Sequence, residues 1–419
     1  MRVLLFTGKG GVGKTTAAAG AAVLAARAGH KTLVLSTDAA HSLTDAFGVS
    51  AAEHVGPDRV GADRAGSDRA GPDEPVEVEP GLAVLQVDAQ RRFERSWGEI
   101  QSYLMSLLDA AGVDAIAAEE LTVLPGAEEV LALLEVRDRV RSGRWDVVVL
   151  DCAPTAETLR LLALPELLEW YMTRVFPLDR RMLRSLRPVL GLSGGSRSAG
   201  APLPRDRVFA AIERLHAELA DVRRVLTGPQ TSVRLVLTPE AVVVAEARRT
   251  LTSLSLYGYR VDGVVANRVF PSGGADPWRS AWVAAQAGHL AEVAASFGDL
   301  PLWRAPYEPA EPVGADALAC LAEQTYAGQD PLEVRSGPAT LLVERSGEEF
   351  VLSFALPLAD RKDMDLGRHG DELVLTVAGH RRVIALPSAL RRCTVVGAAL
   401  REGRLRVRFE PDPALWRSL

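Results

Sequence analysis

Along the first three quarters of the chain, short apolar runs alternate with longer stretches in which apolar residues recur at helical spacing. The runs Val3–Thr7, Thr32–Thr37, Leu82–Val87, Asp146–Asp151, Val233–Thr238 and Val261–Asn267 are rich in Val and Leu and do not alternate cleanly with polar residues. Strands of that kind are covered on both faces, as in a parallel sheet whose crossovers are helices. The expected fold class is therefore α/β, a parallel sheet flanked by helices, over residues 1–330. Beyond Pro331 the pattern changes. Thr340–Arg345, Glu349–Ala355, Glu372–Val377, Arg381–Leu386 and Arg404–Phe409 alternate with period two between Gly, Asp and Pro turns. That predicts a small all-β antiparallel sandwich over 338–419.

Two stretches fit neither pattern. Residues 56–75 read GPDRV, GADRA, GSDRA, GPDEP, four imperfect pentads with almost nothing to bury, so 51–80 is expected to be a disordered insertion. Arg160–Gly191 is apolar but broken by Pro165, Pro177 and Pro188, which predicts a helical subdomain over 158–215. Core packing is its plainer reading.

Composition narrows the function classes. With 47% hydrophobic and 24% charged residues the chain reads as an ordinary globular protein, and a net charge of −6 disfavours a surface built for nucleic acid. No run approaches the ~20 apolar residues of a spanning helix, so no integral membrane segment is expected and the reading is cytoplasmic. Cys152, Cys320 and Cys393 are scattered and form no C-x-x-C pair, which predicts neither a disulfide framework nor a zinc knuckle. Of 48 basic residues only Lys9, Lys14, Lys31 and Lys362 are lysine, and two of them lie within six positions of each other.

Those two belong to TGKGGVGKTT, Thr7–Thr16, which contains the phosphate-loop spacing G-x-x-x-x-G-K-[ST] at Gly8, Gly13, Lys14 and Thr15. Glycines let consecutive backbone N–H groups curl around a phosphate, beside the positive end of the helix expected from Thr15 to Arg27. Gly8, Lys9, Gly10, Gly11, Val12, Gly13, Lys14, Thr15 and Thr16 are thus the candidate ATP contacts, with Lys14 on the β- and γ-oxygens and the Thr15 hydroxyl on Mg²⁺. Asp38, in STDAAHSLTDAF after the second strand, stands where an acid can orient or deprotonate the attacking water. Asp151, in DCAPTAETLR after VVVL, stands where an acid holds Mg²⁺ through water. Either aspartate alone would also serve as a helix cap.

These residues resemble the ArsA-type ATPases, which comprise the arsenite-pump ATPase and the tail-anchored-protein targeting ATPase of the Get pathway. The likeness rests on GKGGVGKTT, STDAAHSLTDAF, DCAPTAETLR, LPGAEEVLALLEV (Leu124–Val136) and VVANRVFP (Val264–Pro271), and covers about residues 1–326 apart from the pentads. The resemblance implies a P-loop ATP hydrolase with a deviant Walker A loop, working as a homodimer in which Lys9 reaches the partner's nucleotide. It makes Lys9, Lys14 and Asp38 catalytic, Gly10–Thr16 the phosphate and Mg²⁺ contacts, and Asn267 the adenine reader. A carboxamide can pair with the adenine edge, though Asn is equally common as a turn residue at a strand end.

Residues 338–415 resemble the α-crystallin domain of small heat-shock proteins in the version appended to some bacterial ArsA-like ATPases, carried by Gly370–Phe409 with Ala399–Leu405 as the A-x-x-x-G-x-L turn. No I-x-I tail follows. Arg404, Arg406 and Arg408 alternate with apolar residues and read as a solvated strand face. The chain departs from the pump, which has two ATPase halves and a metalloid-binding cysteine cluster, and from the eukaryotic targeting ATPases, which hold zinc with a C-x-x-C pair. It also has Ala39 where Pro is usual, and Ala156-Glu157 where Gly-His is usual. In the targeting ATPases the part of the chain that corresponds to Arg160–Gly191 builds helices lining a groove for a client's hydrophobic segment, the alternative to plain core packing there, so the resemblance implies an Mg²⁺-dependent ATPase that binds client proteins or a membrane-protein segment. The alternatives are a nucleotide-dependent scaffold or partitioning-like switch without significant turnover, and a metalloid-linked ATPase.

Overall fold

The computed structural model describes residues 1–37, 42–49, 74–86, 127–152, 217–273, 276–298, 300–335 and 341–416. The expected helical subdomain at 158–215, and the pentads, lie outside them.

Among the described residues eight strands form the main sheet: β1 (Arg2–Thr7), β2 (Thr32–Ser36), β3 (Val76–Glu79), β4 (Leu82–Gln86), β5 (Val147–Asp151), β6 (Thr231–Leu237), β7 (Val261–Val269) and β8 (Leu302–Pro306). Their spatial order is β3-β4-β2-β5-β1-β6-β7-β8, parallel throughout except that β3 runs antiparallel to β4. The central strands β1, β2, β5 and β6 are buried at every position, which explains why their apolar runs do not alternate. Helices α1 (Lys14–Arg27), α2 (Ser42–Phe47), α4 (Ala241–Tyr257), α5 (Pro277–Phe297) and α6 (Ala315–Tyr326) accompany the strands, and α3 (Ala127–Arg141) precedes β5 in the chain. Small residues let α1 lie close to its neighbours: a Cβ on Gly20 would come within 3.0 Å of α6 at Ala322 and Leu318.

Two strands escaped the pattern. β8 is five residues with a polar centre and a closing proline, too short to read as a buried run. β3 lies inside the expected insertion 51–80 and corrects its end: Val76–Glu79 is an ordered edge strand, joined to β4 by a tight turn at Pro80–Gly81. Its VEVE sequence alternates as a half-exposed edge does, and looked merely polar beside the pentads.

At the amino ends of the central strands lies a polar network that the sequence did not announce. Asp262 of β7, 3% exposed, accepts from Arg2 Nη2 at 2.8 Å, Ser232 Oγ at 2.5 Å and Arg234 Nε at 3.3 Å. Arg234 also donates to the Tyr326 hydroxyl at 3.0 Å and to the Pro331 carbonyl, and its guanidinium lies 4.7 Å from the centroid of Trp303. Arg2 donates to the Leu332 carbonyl at 3.2 Å. A carboxylate shared by two guanidinium groups, with ring faces over one of them, keeps all three charges satisfied in the interior.

The carboxyl-terminal part is all-β. Strands β9 (Leu341–Ser346), β10 (Glu349–Ala355), β14 (Cys393–Arg401) and β15 (Arg404–Pro411) form one antiparallel sheet ordered β14-β15-β10-β9. Strands β11 (Met364–His369), β12 (Glu372–Val377) and β13 (His380–Ala385) form the other, and a short helix, α7 (Ser388–Arg391), precedes β14. The two share a core of Leu352, Phe354, Leu373, Leu375, Leu405, Val407 and Phe409. Seven strands thus stand where alternation indicated five. β11 and β14 were missed because MDLGRH and CTVVGAALR interrupt the period with glycine. Arg406 and Arg408 are exposed, and Arg408 lies 3.6 Å from Glu349, so that strand face is solvated as expected.

The sandwich sits on the carboxyl end of α4. Leu256 is part of the sandwich core, Thr252 Oγ1 donates to the Pro357 carbonyl at 2.7 Å, and Arg382 donates to the Leu256 carbonyl at the end of the helix. Tyr257 meets His380 edge to face at 6.3 Å. A second compact unit includes residues 127–138 and 217–225. There Leu133, Val136, Leu219 and Val222 are buried, and Arg137 lies 3.7 Å from Glu218.

Candidate functional site

The loop from Gly8 to Gly13 joins β1 to α1 at the carboxyl end of the sheet, where open α/β folds bind ligands. Glycine is sterically required at both of its ends. A Cβ on Gly8 would lie 2.1 Å from the Val236 carbonyl oxygen, and one on Gly13, whose φ is +91°, would lie 2.1 Å from Asn267 Nδ2. The loop is therefore pressed against β6 and β7. Gly13 caps α1 without a side-chain hydrogen bond, so the first-turn N–H groups and the positive helix end serve the loop as an anion cradle.

Lys14 is 7% exposed, its Nζ 3.4 Å from the Lys9 carbonyl oxygen, so its ammonium lies within the loop. Thr15 Oγ1 donates to Asp151 Oδ2 at 2.8 Å, and Ser36 Oγ donates to the same oxygen at 3.3 Å. Pairing of Asp151 with Phe6 of β1 and Ser36 of β2 fixes this carboxylate between the two strands, at 1% exposure. The donor set fits Mg²⁺. Hydroxyl and carboxylate oxygens suit a hard cation that keeps several waters and takes the rest of its shell from phosphate. Among the described residues no cluster of three or more His, Cys, Asp or Glu side chains could hold a metal by itself.

An open cavity of about 420 Å³ lies over the loop, lined by Gly10, Gly11, Gly13, Lys14, Thr15 and Thr16 on one side and by Asp45, Arg268, Glu311 and Val313 on the other. That volume lies within the usual range of small-molecule sites. Lys9 points elsewhere. Its side chain is 40% exposed, and Nζ lies 3.8 Å from Glu246 Oε2 on α4. Asn267 is buried, its Nδ2 donating to the Val12 carbonyl at 2.8 Å while Oδ1 accepts from the Arg268 N–H at 2.9 Å. Its carboxamide thus braces the phosphate loop, a contact that its residue type did not reveal. Asp38 lies outside the described residues.

Sequence reasoning also passed over an aromatic group beyond the end of β7. Phe270 stacks on Tyr307 at 5.1 Å, and Trp278 and Trp282 lie 6.2 Å from Phe270. Its signal was present as VFP and PWRSAW around a glycine turn. Cys152, next to Asp151, is buried, and burial with the neighbouring carboxylate pushes its thiol well above the ordinary range. It stays protonated.

The profile of a family described as anion-transporting ATPase, ArsA, matches residues 1–327. The chain belongs to the ArsA ATPase family. A second profile, the HSP20-like domain found in ArsA, matches residues 347–409 and covers most of the sandwich. An uncharacterised Streptomyces coelicolor protein is 40% identical over 427 residues, covering 99% of both chains. A Chlorobaculum tepidum protein that carries the provisional name of arsenical pump-driving ATPase is 33% identical over 411 residues, covering 98% of this chain and 96% of its own. The ATPase get3 of Schizosaccharomyces pombe is 25% identical over 321 residues, 75% of this chain and 88% of the relative. In this ArsA-family chain no helix among the described residues is long and apolar enough to cross a membrane.

Proposed function

We propose that this ArsA-family chain is an Mg²⁺-dependent cytoplasmic ATPase whose nucleotide cycle switches a homodimer between states that bind and release client proteins. The observation that carries this is the separation of the two loop lysines. Lys14 lies inside the cradle at 7% exposure, while Lys9 stands outside it at 40%, aimed away from its own phosphate site. An ammonium placed so is available to a nucleotide on a second protomer, where it would stabilise charge on the transferring phosphoryl group. ATP bound here would supply that γ-phosphoryl and the oxygens completing the Mg²⁺ shell. The chain's own groups divide the rest of the work: Lys14 and the α1 N–H groups bind, Thr15 and Asp151 hold the cation, and Asp38 orients the water. Gly13 and Asn267 keep the loop open, with Asn267 also proposed to read the adenine edge.

Client binding is supported by the sandwich. Its two edge strands present apolar residues at the surface, Leu341, Leu342 and Val343 on β9 and Val395 and Val396 on β14 at the opposite edge, and each edge suits an extended partner segment. The test is steady-state turnover of Asp38→Asn and Lys9→Ala. Loss of ~10³-fold in the lysine variant is expected, and undiminished hydrolysis in both variants overturns the mechanism. ATP-dependent dimerisation with no turnover in the unmodified protein would favour a scaffold instead. Clear stimulation by arsenite would favour a metalloid-linked enzyme.

A further inference from the structure

We infer that Glu246 is a positioning residue for Lys9, aiming its ammonium out of the loop and toward a second protomer. The inference rests on the proposed trans role of Lys9. Lys9 and Glu246 are 237 positions apart in the sequence yet share one reference frame. Gly8 is packed so closely on the Val236 carbonyl that no Cβ fits, which fixes the start of the loop to β6. β6 runs on through Thr238 into α4, whose second turn carries Glu246. The same strand therefore places both the backbone of the lysine and the carboxylate that meets its tip, with Nζ 3.8 Å from Oε2.

A lysine stem of four methylenes has no preferred direction of its own, and a phosphate in the adjacent loop would draw the ammonium inward. A carboxylate on the outer side counters that pull. At 3.8 Å the pairing is electrostatic, with no hydrogen bond, and the three ammonium hydrogens stay available to phosphoryl oxygens of a partner's nucleotide. Both side chains are partly exposed, Lys9 at 40% and Glu246 at 29%, so the pair contributes almost nothing measurable to stability. Its effect falls on orientation.

The experiment is ATP hydrolysis by the full chain, comparing Glu246→Gln, Glu246→Asp, Lys9→Ala and the Lys9→Ala/Glu246→Gln double variant, with melting temperature and nucleotide affinity measured alongside. Glu246→Gln is expected to lower kcat about tenfold, leave KM for ATP within twofold, and leave the melting temperature unchanged. Glu246→Asp should recover part of the loss. The double variant should be no slower than Lys9→Ala alone. Full activity in Glu246→Gln beside an impaired Lys9→Ala overturns the positioning role and leaves the ATPase reading standing. A further tenfold loss in the double variant overturns it too, since Glu246 would then act independently of Lys9. Normal turnover in Lys9→Ala removes the trans role on which the inference stands.

Discussion

The two ends of the central sheet use similar polar groups to opposite purpose. At the amino end Arg2, Arg234, Asp262, Ser232 and Tyr326 satisfy one another in the interior. At the carboxyl end Lys14, Thr15 and Asp151 are also sheltered, but they border an open cavity and a helix end that no side chain caps. A closed network holds strands together. An open one keeps donors and acceptors for something that arrives. The difference lies in completeness of hydrogen bonding, and buried charge by itself does not distinguish a site from a clamp.

The sharpest way to test this contrast is to open the closed end. Asp262→Asn leaves two buried guanidinium groups without their carboxylate, and should cost about 3–5 kcal/mol of stability in urea unfolding. Turnover per folded molecule should stay near that of the unmodified chain. Gly13→Ala is the converse. A methyl group at φ +91° meets Asn267 Nδ2, and nucleotide affinity should fall about 100-fold in a fluorescent-nucleotide titration. Backbone strain there should cost only about 1–3 kcal/mol.

The smallest effect is expected away from both ends, where His380 packs on Tyr257. Burial holds the His380 imidazole below its ordinary range, so the unfolded chain takes up a proton more readily than the folded one. Its stabilising contribution is complete above the unfolded value of about 6.5 and falls as pH drops through the lower folded value. Protection factors at the end of α4, taken against the intrinsic exchange rate at each pH, should therefore fall at acid pH, and His380→Phe should flatten that dependence.

The central strands were legible because burial on both faces leaves a continuous apolar run, and the phosphate loop because its chemistry demands glycine and lysine at fixed spacing. The closed network was not, although its signal was there. RVLLFT, TSVRLVL and VDGVVANRV each carry a charge inside an apolar strand. Only the order β1-β6-β7 brings Arg2, Arg234 and Asp262 side by side, and strand order is not a property of any one segment. Asn267 illustrates the same limit. Its residue type suggested base recognition, while its contact with Val12 depends on how β7 packs against a loop more than 250 positions away. β3 and β8 were lost to shortness, since four or five residues with polar members carry too little periodicity to separate from a turn.

The guanidinium groups of Arg2 and Arg234 also hold the carbonyls of Leu332 and Pro331, and β9 begins at Leu341. Nine peptide links can reach no further than about 30 Å from that anchor. The sandwich therefore meets α4 as a tethered partner, at an effective concentration on the order of millimolar. Contacts as few as those of Thr252, Leu256 and Tyr257 suffice to seat it under those terms, and a single cut in the tether would turn the same contacts into a weak encounter between strangers.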